Sequence, residues 1–169
     1  MIQPIKLTPA PEPPHPSRPR PADYADGFAL NLIVSSDISA LTLEFLKSLP
    51  LWAARLVALR NYLVAWTGLK AQPIKRELDE ADLVPGADLG LFTCYGCGPD
   101  EVLLGQKERH LDFYTSLKLV PLTGSSQLQV STWVYFHNPW GRAYFFFVAP
   151  WHRWIVRSML ERLAHRLIR

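Results

Sequence analysis

The sequence predicts an α+β fold, in which a mainly antiparallel sheet carries one long C-terminal helix across its face. Three observations lead there. Between residues 91 and 137 four apolar, alternating runs are separated only by short turn clusters, which is the pattern of consecutive hairpins. Ahead of them two short helical stripes follow a single alternating run, and after them an uninterrupted helical pattern continues nearly to the last residue.

Residues 1–21 stand apart. Eight of the 15 prolines fall between Pro4 and Pro21. Each removes a backbone donor and fixes φ, so this stretch is expected to be an extended, disordered arm, with a single domain over residues 22–169. The first strand comes next, where Phe28, Leu30 and Leu32 alternate with small or polar residues. Ser36, Asp37 and Ser39 are candidate N-caps for a helix carrying Leu41, Phe45, Leu46 and Leu49. Pro50 ends it and opens a second helix with a stripe of Trp52, Leu56, Leu59, Leu63 and Trp66, closed at Gly68.

Residues 70–90 hold Pro73, Pro85, Gly86 and the acids Glu77, Asp79, Glu80 and Asp82, and read as a long connection of the kind that borders ligand openings. Strands are expected at 91–95, 101–104, 109–120 and 128–137, with turns at Gly96–Pro99, Gly105–Glu108 and Pro121–Ser125. From Gly141 a helix carries Tyr144, Val148, Trp151, Ile155, Met159, Leu163 and Leu167 as its expected buried stripe, with Pro150 expected to kink it.

Composition narrows the function classes. The chain has 169 residues, 49% hydrophobic and 12% aromatic, and its two cysteines are too few for a secreted disulfide scaffold. No signal-peptide pattern opens the sequence, and its longest apolar run, Ala143 to Trp151, is less than half of the roughly 20 residues of a membrane-spanning helix. A cytoplasmic protein is therefore expected. The net charge of +3 is unevenly placed, because six arginines lie beyond Gly141 against a single acid, Glu161. Such a helix could meet an anionic membrane surface or nucleic acid, but the sheet is expected to claim its apolar stripe, so nucleic acid is not an expected partner.

Several polar residues could carry chemistry. His110 and Asp112, two apart on one expected strand, would share a face, either as a solvent-facing polar row or as an imidazole–carboxylate pair for acid/base work. His137 and Asn138 mark the corner before the last helix, where they could cap it or touch a ligand. Tyr144 and His152 are two turns apart on that helix. Cys94 and Cys97 form a C-x-x-C without the helix N-terminus of a redox motif or two further zinc ligands, so they read as free thiols. No cofactor or metal is expected.

Asp23-Tyr24, Leu59-Arg60-Asn61, Val102-Leu103-Leu104-Gly105, Arg109-His110-Leu111-Asp112-Phe113, Phe136-His137-Asn138, Gly141-Arg142-Ala143-Tyr144 and Pro150-Trp151-His152 occur in order. Together, over about residues 22–166, they resemble the DUF2867 family of uncharacterised bacterial proteins. The resemblance implies a START/Bet v 1-like (SRPBCC) helix-grip fold, whose curved sheet wraps a long C-terminal helix and leaves an apolar cavity between them. It supplies a fold and a cavity rather than a reaction. The leading expectation is then binding of a small, largely apolar molecule, with Phe113, Trp133, Tyr144, Phe147 and Trp151 as walls and His110, Asp112, His137 and His152 as polar groups. The alternative is a cyclase- or dehydratase-like enzyme using His110 and Asp112 as an acid/base pair.

Overall fold

A computed structural model describes residues 5–6, 21–32, 37–64 and 78–167. Its elements are β1 (Ile5–Lys6), β2 (Tyr24–Leu32), α1 (Ile38–Lys47), α2 (Leu51–Val64), β3 (Thr93–Cys97), β4 (Glu101–Lys107), β5 (Leu111–Leu122), β6 (Ser125–Phe136) and α3 (Pro139–Leu167). A 3-10 turn at Glu80–Asp82 interrupts the connection before β3. The architecture is the α+β plan of an antiparallel sheet with a long C-terminal helix.

All strand pairs are antiparallel, in the order β1-β2-β6-β5-β4-β3. β2 thus lies beside β6, the last strand, which places both next to the helix that follows β6. Ile5 and Lys6 pair with Ala29 and Phe28, so a two-residue strand lies inside the segment expected to be an arm outside the fold. The rest of that segment through residue 20 lies outside the described residues, as do Ser36, Trp66, Gly68 and the connection before residue 78.

Two hairpins differ from expectation for local reasons. The expected turn at Gly105–Glu108 is mostly strand, and the chain reverses at residues 108–110 instead. Gly105 serves the ladder. It pairs with Tyr114, and a Cβ there would stand 2.7 Å from the Tyr114 ring, so the missing side chain makes room for an aromatic neighbour across the strands. Between β5 and β6 only Thr123 and Gly124 remain unpaired, with Gly124 at φ 76°, the positive φ that a type II turn needs at its third residue and that glycine adopts without strain.

The sheet's inner face carries Phe28, Leu30 and Leu32 from β2, Val130 and Leu128 from β6, Leu117 from β5 and Val102 and Leu104 from β4. Against these pack Leu41 and Phe45 of α1 and Val156, Met159, Leu160 and Leu163 of α3. α1 starts where the Asp37 carboxylate accepts the Ser39 and Ala40 amides at 2.8 and 3.2 Å. Arg166 to Glu44, at 3.0 Å, ties the two helices at the surface.

α3 is one helix of 29 residues that runs through Pro150, and its buried side is rotated from the expected stripe. Gly141, Phe145, Val156, Met159, Leu160, Leu163 and Ala164 are buried, whereas Trp151 and Leu167 are exposed. Large apolar residues occupy both sides of this helix, so periodicity admits two stripes and only the sheet selects one. α2 behaves similarly, with Leu59 exposed and Ala53 fully buried. Gly141 marks the closest approach of α3 to the sheet, because a Cβ there would collide with the His110 carbonyl oxygen.

Candidate functional site

Between the inner face and the helices lies a cavity of about 240 Å³. Its walls are hydrocarbon, including Phe45 and Leu49 from α1 and its following turn, Phe92 and Phe113 from the sheet side, and Phe145, Val148 and Ile155 from α3. The polar exceptions are few: Glu108, His110, Thr115, Thr132, Tyr144 and His152.

Three of the sheet's inward positions form a polar row. Asp26 on β2 pairs with Thr132 on β6, which pairs with Thr115 on β5, and all three are buried. The Thr115 and Thr132 hydroxyls lie 3.4 Å apart. Polar neighbours of this kind keep buried hydroxyls tolerable beneath an apolar chamber.

Asp26 is the centre of the arrangement. The Tyr24 hydroxyl donates to its Oδ2 at 2.5 Å, and His152 Nε2 from α3 faces its Oδ1 at 3.8 Å, an ion-pair rather than a hydrogen-bond distance. Burial works to raise the Asp26 pKa, but the facing His152, the Tyr24 hydroxyl and the nearby Arg153 outweigh it and hold the carboxyl below its ordinary value. Tyr24 moves the other way, because burial and the adjacent carboxylate both disfavour its phenolate. Tyr24 therefore remains a donor and Asp26 an acceptor. His152 Nε2 is buried without a hydrogen-bond partner. At 3.8 Å Asp26 faces His152 as a charge rather than as a hydrogen-bond acceptor.

A second histidine stands elsewhere in the lining, where His110 meets Tyr144 edge to face with ring centroids 5.0 Å apart. His110 and Asp112 do not share a face of the sheet. β5 begins at Leu111, so the alternation that would align them does not extend back to His110, which lines the cavity while Asp112 points through the sheet. On the outer face the partner of Asp112 is His137, with Nε2 3.3 Å from Oδ2 and Asp112 almost fully buried. There Tyr114, Trp133 and Tyr135 form a separate aromatic cluster with Tyr95 and Leu103 packed on it.

The structure thus brings His110, Phe113, Tyr144 and His152 to the cavity and leaves five expected residues elsewhere. Asp112 and Trp133 have the parity of the outer face. His137 belongs to the outer pair, and its neighbour Asn138 accepts the Gly141 amide at 3.0 Å, closing the first turn of α3. Phe147 and Trp151 face away on the exposed side of α3.

Sequence reasoning missed Tyr24, Asp26, Thr115 and Thr132. A signal was present for three of them, each of which interrupts an inward apolar alternation: Asp26 ahead of Phe28 and Leu30, Thr115 between Phe113 and Leu117, and Thr132 between Val130 and Val134. An inward charge among inward hydrophobes marks either a buried network or a site. The two thiols stand apart from the cavity lining. Cys94 is buried, which pushes its pKa up, and Cys97 is exposed at the end of the same strand. Among the described residues no group of three or more His, Cys, Asp and Glu could hold a metal ion, and no helix is long and apolar enough to cross a membrane.

In comparisons with known proteins, the family model described as "Protein of unknown function (DUF2867)" matches residues 18–159. No curated protein and no solved structure matches.

Proposed function

The chain belongs to the DUF2867 family, and we propose that it binds a small, largely apolar molecule between its antiparallel sheet and α3, in the manner of a helix-grip container. The observation that carries this reading is the lining itself, a hydrocarbon chamber with a few convergent polar groups. Burial of hydrocarbon would supply affinity, and a hydroxyl or carbonyl on the ligand would be oriented by His152 and the Asp26 row. A cavity of about 240 Å³ is slightly smaller than the roughly 300–1,000 Å³ of most ligand pockets, so the ligand is compact.

Naphthalene and 2-naphthol are suitable probes, since they share a body and differ by one hydroxyl. Titration by fluorescence or calorimetry is expected to show saturable binding of both, with 2-naphthol tighter. Ile155→Trp fills the chamber from α3 and should abolish binding with the circular dichroism spectrum retained, while Phe113→Ala enlarges it and should favour larger rings. Failure of both probes to bind the wild-type chain, or binding indifferent to both substitutions, would overturn the container reading.

A second reading is supported by the carboxylate facing His152. In it, His152 removes a proton from carbon next to a substrate carbonyl and returns it at another position, with Asp26 stabilising the imidazolium between the two transfers, as an isomerase, cyclase or dehydratase would need. The apolar lining lowers the local dielectric around such a pair and so strengthens it. Deuterium exchange from heavy water into 2-tetralone tests it: exchange above the buffer rate that His152→Ala eliminates supports catalysis, and none leaves binding as the function.

A further inference from the structure

Among the described residues, the outward side of α3 is aromatic and largely exposed. Trp140, Phe147, Trp151 and Trp154 recur at steps of seven, four and three, which puts them on one stripe of the helix, and their exposures are 82, 72, 47 and 56%. α2 extends the patch. Trp52 packs on Trp154 with ring centroids 4.7 Å apart, Trp151 stacks on Trp154 at 5.9 Å, and Leu51, Leu59 and Tyr62 of α2 are each more than half exposed. So many large apolar side chains in one region exceed the scattered exposure of an ordinary surface.

The charges around this patch have one dominant sign. α2 contains no acid, and α3 contains one, Glu161, which pairs with Arg157 at 3.0 Å. Exposed Arg153 and Arg157 lie to one side of the stripe by helical angle and Arg162 to the other. Tryptophans bordered by arginines suit the boundary between lipid headgroups and acyl chains, where the rings bury and guanidinium groups meet phosphates.

We propose that the outward face of α2 and α3 docks on the surface of a bilayer containing anionic phospholipid, without crossing it. Complementarity of charge favours this occupant over a second copy of the chain, whose facing arginines would repel. The inference goes beyond the cavity reading and does not depend on the chamber's being filled. Both α2 and α3 nevertheless line the chamber through Val57, Val148 and Ile155, so an apolar ligand leaving the bilayer would meet the cavity wall directly behind the docked face.

Cosedimentation of the full chain with phosphatidylcholine vesicles, alone or with about 30% phosphatidylserine, tests this at low and high salt. Binding to the anionic vesicles with a blue shift of tryptophan emission is expected, weakening steeply as salt rises. The double substitution Phe147→Ser with Trp151→Ser should reduce vesicle affinity at least tenfold with an unchanged urea midpoint, and Arg157→Gln with Arg162→Gln should remove the preference for anionic lipid. Absence of binding at low salt, or equal binding of the wild-type and aromatic-substituted chains, would overturn the proposal. So would sedimentation equilibrium showing a dimer that Phe147→Ser with Trp151→Ser converts to a monomer, because a protein surface would then cover the patch.

Discussion

The two faces of the sheet each hold a buried aspartate beside a histidine, and the two pairs do different work. On the outer face Asp112 and His137 meet at 3.3 Å beside packed aromatic rings, where they join β5 to the corner between β6 and α3. On the inner face Asp26 and His152 stand 3.8 Å apart in a row of hydroxyls, and His152 lines a chamber. Identical residue types thus become a clamp in one place and a candidate ligand anchor in the other. Access decides: a carboxylate–imidazole pair can act on a molecule only where space for that molecule adjoins it.

Gly141→Ala breaks the comparison most severely, since α3 both follows His137 and carries His152. The added Cβ would strike the His110 carbonyl, and moving the helix start disturbs both pairs, at an expected cost of about 3 kcal/mol read from urea unfolding. Next comes Asp26→Asn, expected to cost about 1–2 kcal/mol near neutral pH by weakening the acceptor for Tyr24 and removing the charge that faces His152. Its pH dependence has a definite sign. The Asp26 pKa is lower folded than unfolded, so its stabilisation is present above the unfolded value of about 4 and is lost as pH falls through the folded value. Asp26→Asn should therefore lose less stability between pH 7 and pH 3 than the wild-type chain does.

Binding separates the pairs further. His152→Ala is expected to weaken 2-naphthol about tenfold, a change of about 1.4 kcal/mol, and to leave naphthalene nearly unaffected. His137→Ala should leave both probes unchanged. Its stability cost should be about 1–2 kcal/mol by thermal unfolding, because it removes one partner of the almost fully buried Asp112. Equal loss of probe binding in the two histidine variants would erase the distinction between the faces.

Much of this organisation was legible from residue order. Alternation in Leu128, Val130, Thr132 and Val134, the Asp37 cap and Pro50 specify elements through local rules, and they appear where those rules put them. The β4–β5 turn was not legible, since Gly105 reads as a reversal until Tyr114 is known to lie across from it. The site was half legible. His110, Phe113, Tyr144 and His152 line the chamber, but the carboxylate two residues from His110 lies on the other face, and nothing local to Asp26 points to the histidine it meets.

By itself the sequence determined the α+β class, the order of elements from β2 onward and the alternation within the longer strands, because backbone geometry enforces periods of 2 and 3.6 within single segments. Only the tertiary structure decided which histidine meets which aspartate and which side of α3 faces the sheet. Those outcomes depend on register between strands distant in the chain and on the rotation of a helix with large apolar residues on both sides. Local periodicity leaves these choices open, and packing of the whole chain settles them.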